Sequence, residues 1–357
     1  MELRYPLTGH LRLRPLYQPT RERRENPRSK VIQGKADFKE IKMGRWTQVA
    51  EGGADNFGKG QVSIQHKLND SGFFTDEALA ELIDKYPREY YMLNTMTKVG
   101  EEKVWRSGDK GDLTGAQIVK AIHDGQVWMC LRRFDVVAPE YHQLIDDSFE
   151  ELEEGNPKLK TFKRESSLLI SSPTARVFYH TDIPFICLWH LRGKKRVWLY
   201  DADSKTHLPD KTLEGVILRE TEEEVAYDAN WDNEAQSVLL EPGQALSWEL
   251  NAPHRVDNVE GLNVSITTEF FTPEAQRKYG VFYTNGYMRR HMGIEPKSTK
   301  TDGLGAYAKC AVALGIKKLG LLKGKERKMM CSFTIDKDDL TKIVDIPANE
   351  QWEIKQA

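Results

Sequence analysis

A chain of 357 residues, 39% hydrophobic and 10% aromatic with eight tryptophans, can bury a large core in one extended domain or two modest ones. Its 52 Lys and Arg balance 54 Asp and Glu, so no global field draws it to nucleic acid or to an anionic membrane. The cysteines Cys130, Cys187, Cys310 and Cys331 make no C-x-x-C pair, which argues against a zinc module or a secreted disulfide scaffold and suits a reducing compartment.

Met1 to Pro6 lacks the apolar core of a signal peptide, and no uncharged apolar run is long enough to span a bilayer. Glu22 and Glu25 interrupt the Arg-rich stretch from Arg12 to Lys30, which weakens a transit-peptide reading. A cytoplasmic protein without an integral membrane segment is expected. Residues 1–74 are polar, Gly-containing and poorly periodic, and are expected to form an irregular N-terminal arm. Thr75-Asp76-Glu77 then reads as a helix start, with Leu79, Leu82 and Ile83 at helical spacing. Thr114-Gly115-Ala116-Gln117 is a capping box, with Leu113 and Ile118 placed for a hydrophobic staple. Val127–Leu131 predicts a buried strand, and Tyr141–Glu154 a helix with Leu144, Ile145, Phe149 and Leu152 on one side.

From Ser166 to Phe271 the texture changes to short β-type runs separated by Pro, Gly and Asp turn signals. They cover Leu168–Ile170, Arg176–Tyr179, Phe185–His190, Arg196–Tyr200, Ser237–Leu240, Ala245–Leu250, Arg255–Asn258 and Asn263–Phe271. Eight short strands in about a hundred residues predict a sandwich or a barrel-like jelly roll. The expected fold is mainly β with flanking helices, a double-stranded β-helix of cupin type with helical extensions. The catalytic domain would run over 75–272, with its barrel core over about 165–272. Residues 273–357 would form a partly helical extension. In it, Gly305 to Lys325 carries Ala308, Val312, Ile316 and Leu319 on one helical stripe, expected to pack on the barrel or on a second subunit.

Within the β-rich stretch, His180-Thr181-Asp182 is followed about seventy residues later by Pro253-His254, inside a second run that reads as strand. Strand period 2 would put His180 and Asp182 on one face, where a His from a neighbouring strand completes a two-His, one-carboxylate set. Such a set holds one face of an octahedron and leaves three positions open, as in non-haem Fe(II) oxygenases. His190, Trp189, Trp198 and Trp248 read as core packing. Arg132-Arg133 and Arg289-Arg290-His291 read as surface or inter-element pairs. Tyr90-Tyr91 and Trp105-Arg106 are candidates for a pocket rim.

The segment His180–Tyr200, with Gly193-Lys194-Lys195-Arg196 inside it, resembles the core of the JmjC-type, cupin-fold Fe(II)/2-oxoglutarate oxygenases. It is most similar to the branch containing the asparaginyl hydroxylase of hypoxia-inducible factor. Glu241-Pro242-Gly243, Pro253-His254 and the Val264–Phe271 run fit the rest of that core, so the resemblance covers about residues 165–272. It implies His180, Asp182 and His254 as catalytic metal ligands and Lys195 as the cation for the far carboxylate of 2-oxoglutarate. Thr267 and Glu269 would lie near the co-substrate, on a strand face shared with Ser265. Two positions depart from the pattern: Ile186 stands where relatives often carry a polar contact, and Glu269 where they have an Asn.

The implied activity is hydroxylation or other oxidation of a C–H bond, with Fe(II), 2-oxoglutarate and O2 consumed, succinate and CO2 released, and ascorbate as an aid in vitro. The substrate would be a small molecule or a protein side chain, not nucleic acid, and a homodimer through the C-terminal helix is expected. Two other readings remain. A cupin metalloenzyme that does not use 2-oxoglutarate would favour more His ligands, and the nine His here form no further strand-borne cluster. A non-catalytic cupin binding module would be free to lose a ligand.

Overall fold

The computed structural model describes residues 31–32, 41–50, 53–96, 105–221, 225–322 and 328–355. The Arg-rich stretch before Val31 lies outside the described residues. In chain order come β1 (Val31–Ile32), β2 (Ile41–Met43), β3 (Thr47–Ala50), the one-turn α1 (Gly53–Asn56) and β4 (Val62–His66). Then follow α2 (Asp76–Lys85), β5 (Tyr91–Thr95), β6 (Ser107–Asp109), α3 (Gly115–Asp124), β7 (Val127–Leu131), α4 (Phe134–Val137) and α5 (Pro139–Gly155). The barrel stretch supplies β8 (Phe162–Ser171), β9 (Arg176–His180), β10 (Phe185–Leu199), α6 (Asp210–Ile217), β11 (Gln236–Leu240), β12 (Gln244–Ser247) and β13 (His254–Phe271). The chain closes with α7 (Pro273–His291), α8 (Gly303–Lys318), β14 (Met329–Ile335), β15 (Ile343–Asp345) and β16 (Trp352–Ile354).

The helix starts follow local chemistry. Thr75 Oγ1 accepts from the Ala78 amide, and Thr114 and Gln117 exchange the two bonds of a capping box. Leu113 and Ile118 are both buried beside it. Part of the stretch expected to be irregular is ordered instead. β4 pairs antiparallel with β12, and β3 pairs with β4. Glu151 of α5 anchors that hairpin by accepting from the Trp46 and Thr47 amides and from Thr47 Oγ1. Val62 and Ile64 of β4 alternate into the core, and the partner strand and that carboxylate fix the pairing of these short segments.

The architecture is the expected double-stranded β-helix, with one change in how it is built. Phe185–His190 and Arg196–Tyr200 were read as two strands, and so were Arg255–Asn258 and Asn263–Phe271. Each pair is one long strand, β10 and β13, and the two run antiparallel from Phe185↔Phe270 to Leu199↔His254. The first half of β10 and the second half of β13 lie in a sheet with β12, β4, β8 and β7. Their other halves lie in a second sheet with β11 and β9. The switch falls at a bulge, where Arg192 faces Val264 and Lys194 faces Glu260. Gly193 (φ 76°) sits there so close to the Leu262 and Glu260 carbonyls that a Cβ would come within 2.8 Å of both. The corner therefore bends the ladder without breaking it, which is why the turn signal did not end a strand.

The folded-over sheets enclose an apolar interior. Ile186, Leu188, Leu246 and Trp248 face Val197, Leu199, Val238, Leu240 and Val256 across it. The outer face of the first sheet, through Phe185, Trp189, Val264, Ile266 and Phe270, packs under α2, α3 and α5 in a larger core. Phe185–Leu191 is accordingly buried at every residue, because both faces of the strand are covered.

A third apolar cluster joins α6, α7 and α8. In α8 the buried positions are Ala306, Ala313 and Ile316, so the expected stripe is rotated: of its members only Ile316 is inside. The reason is a close crossing with α7, where a Cβ on Gly280 would meet the Cys310 sulfur at 2.7 Å. Arg289 and Arg290 both bind the fully buried Glu214, the inter-element pairing expected of them. Beyond α8, β14 adds parallel to β6 and extends the sheet. No helix among the described residues is long and apolar enough to cross a membrane.

Candidate functional site

His180 ends β9 and His254 opens β13, and the two are direct cross-strand partners with ring centroids 4.1 Å apart. Each ring is turned by a backbone carbonyl. His180 Nδ1 lies 2.7 Å from Phe178 O, and His254 Nδ1 lies 3.0 Å from Ala252 O. A carbonyl only accepts, so Nδ1 carries the proton in both rings and Nε2 is left with its lone pair. Both Nε2 atoms face one carboxylate: His180 at 3.8 Å from Asp182 Oδ1, His254 at 3.2 Å from Asp182 Oδ2. One ligand atom from each of the three lies within 4.8 Å of the others, a group that can hold a metal ion.

Donor chemistry and geometry fit a divalent transition metal: two neutral imidazoles and a carboxylate, each imidazole held by an outer hydrogen bond. Burial raises the Asp182 carboxyl above its ordinary value, against the opposing pull of His180. It also pushes the His254 imidazole well below its own, helped by the charge of His180. A bound cation would reverse the Asp182 shift and favour the neutral His254 imidazole that can ligate it. One detail differs from the sequence argument. β9 ends at His180, so Asp182 lies just past the strand, and strand period is not what aims it.

Lys195 lies on the same interior surface. It pairs across to Leu240 and Asn258, and Val197 and Leu199 follow it at period 2 into the barrel's apolar cluster. It is 4% exposed, and burial alone pushes its ammonium down to about 7. Among the described residues it has no ion-pair or hydrogen-bond partner. Lys194 points the other way and pairs with Glu260 at 2.9 Å. Leu199 lies opposite His254, so Lys195 stands four residues along the strand from the metal-facing ring, ~13 Å of strand rise.

His190 is the satisfied interior histidine expected, with Nε2 2.9 Å from Gly193 O and Nδ1 3.0 Å from Ser265 Oγ. Burial, then the charge of Lys195, holds it down near 3, so it adds no competing cation. Thr267 and Glu269 pair directly with Leu188 and Ile186, two residues of the interior cluster, which puts all four on one sheet face. Thr267 is half-buried and Glu269 exposed.

The rim candidates do not gather there. Tyr91 is buried in the large core with its hydroxyl on Asp109, and Arg106 binds the Ser332 carbonyl of β14. Their polar ends serve the extended sheet. Trp248 is core, as expected, and its ring also lies 4.6 Å from that of His254 inside the barrel. Its spacing of two from Leu246 was the available signal for that face. Asn251 bonds the loop carrying Asp182, and no sequence motif marked it.

No family model matches the sequence, and no curated protein matches it. Among solved structures of similar shape is Escherichia coli YcfD, 14% identical with a TM-score of 0.43 over 80% of this chain and 70% of that one. A second structure, described as the E. coli ribosomal oxygenase YcfD, is 14% identical with a TM-score of 0.39 over 74% and 64%. A third holds YcfD with cobalt and 2-oxoglutarate, at 13% identity and a TM-score of 0.38 over 73% and 63%. The chain spans less than two thirds of the length of the latter two.

Proposed function

We propose that the chain is an Fe(II)- and 2-oxoglutarate-dependent oxygenase of the JmjC/cupin type. The observation that carries this is Lys195, a buried ammonium with no counter-charge among the described residues, on the interior strand surface that leads to His254 of the His180, Asp182 and His254 cluster. A buried cation without a partner is unfavourable, so the barrel is shaped for an anion. The ~13 Å strand interval, shortened by the four-carbon lysine stem, leaves room for a short ligand with a chelating head and a far carboxylate. 2-Oxoglutarate is such a ligand. The iron, when bound, supplies activation of dioxygen for attack on an unactivated C–H bond.

The chain's own residues do the rest. Phe178 O and Ala252 O hold the imidazole tautomers, Lys195 would receive the distal carboxylate, and the apolar walls exclude water around that pair. Thr267 and Glu269 would lie beside the co-substrate. The catalytic unit would span 75–272, joined by the strands of 41–66. Four free cysteines suit a reducing cytoplasm. The substrate class is a small molecule or a protein side chain. Purified protein with Fe(II), ascorbate and 2-oxoglutarate should form succinate at a slow uncoupled rate; iron-loaded protein that neither binds 2-oxoglutarate nor forms succinate defeats the reading.

The outward face of α8 supports a homodimer. Leu304 is 90% exposed and Leu319 73%, and Tyr307 and Val312 lie exposed between them at helical spacing. Full-length protein should scatter light as a dimer at tens of micromolar, and truncation after Thr301 should give a monomer or an insoluble product. A monomeric full-length protein removes the dimer and leaves the oxygenase reading intact.

A further inference from the structure

Asp182 has no strand to aim it, yet it must present its carboxylate to two imidazoles. What holds it is a side chain seventy residues away. Asn251 Nδ2 donates to Asp182 O at 2.8 Å and to Ile183 O at 3.1 Å. Thr181 Oγ1 returns a bond to Asn251 O at 2.8 Å. One residue thus holds three successive positions of the His180–Ile183 loop. The same turn sets the other ligand: Ala252 N donates to Glu249 O, and Ala252 O fixes the His254 ring.

We infer that Asn251 is a positioning residue that locks the Asp182 carboxylate against His254, an inference that rests on the metal centre proposed above. Three observations support it. Asn251 and Thr181 are 4% and 0% exposed, so water does not stand in for these bonds. Asn251 adopts φ 65°, a left-handed conformation that an Asn tolerates better than most side chains. Among the described residues, the other non-glycine positions with positive φ, Arg133, Lys163 and Arg219, are all at least partly exposed. The amide also has a forced orientation. Both of its hydrogens are engaged by carbonyls, and its Oδ1 is buried without a partner among the described residues. A carboxylate in its place would set oxygen against two carbonyl oxygens.

The test compares two Asn251 variants with a control on the same turn. Lys278 of α7 donates to Leu250 O at 3.2 Å, from outside the barrel. Asn251→Gly keeps the left-handed backbone accessible and removes the amide. Asn251→Asp keeps the shape and removes the donor. Co(II) alone is titrated into each metal-free protein and its visible absorption followed, with thermal unfolding measured in parallel. Both variants are expected to raise the Co(II) dissociation constant at least tenfold, the scale of lost outer-ligand bonds, while unfolding within a few degrees of the parent. Lys278→Met should bind Co(II) within twofold of the parent. The inference is overturned if Asn251→Gly also binds within twofold, if Lys278→Met weakens binding as much, or if neither Asn251 variant folds. A parent protein that binds no Co(II) overturns the metal centre itself.

Discussion

Lys195→Ala is expected to raise the apparent KM for 2-oxoglutarate at least tenfold, and Lys194→Ala to leave it within about twofold. The magnitude follows from a charge-assisted hydrogen bond, about 1.5–3 kcal/mol, since ~1.4 kcal/mol is a tenfold change in affinity. The contrast follows from the strand: Lys195 is buried on the interior face, while Lys194 is paired outside with Glu260. Equal effects, or the reverse order, would mean that the anion site is not where Lys195 stands. Steady-state kinetics with succinate as the readout decides it.

The same burial gives the site a pH signature of defined sign. The Lys195 ammonium is pushed down to about 7 in the free protein by burial. Above that pH the free protein must take up a proton to meet a carboxylate, so the dissociation constant for 2-oxoglutarate should rise by up to tenfold per unit. Stability runs the other way. Between pH 7 and the ordinary lysine range near 10.5, the unfolded chain holds a proton that the folded chain has released. Stability from this group therefore increases with pH across that window, and the full penalty is present below it. Lys195→Met should accordingly raise the melting temperature at pH 7, with a smaller gain at pH 10, while weakening 2-oxoglutarate binding at least tenfold. A residue that weakens the free fold and strengthens the loaded one is what a ligand site looks like thermodynamically.

What could be read in advance was whatever depends on near neighbours in the chain. The caps at Thr75 and Thr114 are set within four residues, and both formed as their sequences imply. His180, Asp182 and His254 were legible as a set, because the metal's preference restricts the donor types so strongly. Features set by distant partners were not. The corner at Gly193 continues a strand only because Glu260 to Asn263 bulges opposite it. The phase of α8 depends on how closely α7 approaches at Gly280. β4 is a five-residue apolar–polar alternation, too short to be read alone, whose pairing is decided by β12. Asn251 was invisible for the same reason: its importance lies in three hydrogen bonds to a loop about seventy residues earlier. The short reach of sequence patterns thus located the chemistry and left its alignment unseen.

Replacing any one of His180, Asp182 and His254 by Ala is expected to abolish iron-dependent turnover and leave the barrel folded. Loss of an outer hydrogen bond to a metal ligand typically costs 10–100-fold, and loss of the ligand itself removes one of only three attachment points. The fold should survive because it rests elsewhere. The interior cluster from Ile186 to Val256 and the larger core under α2, α3 and α5 contain none of the three. In Asp182→Ala the lost group is one that burial already disfavours as an anion, so the metal-free variant should melt no lower than a few degrees below the parent. Metal addition separates the two roles. At a hundredfold excess over its dissociation constant a divalent ion stabilises the parent by about 2.7 kcal/mol, and each variant should lose that rise in melting temperature along with activity. A variant that keeps the full metal-induced shift would take its residue out of the ligand set. One that loses the fold without metal would show that the three side chains pack the barrel mouth as well as bind the ion.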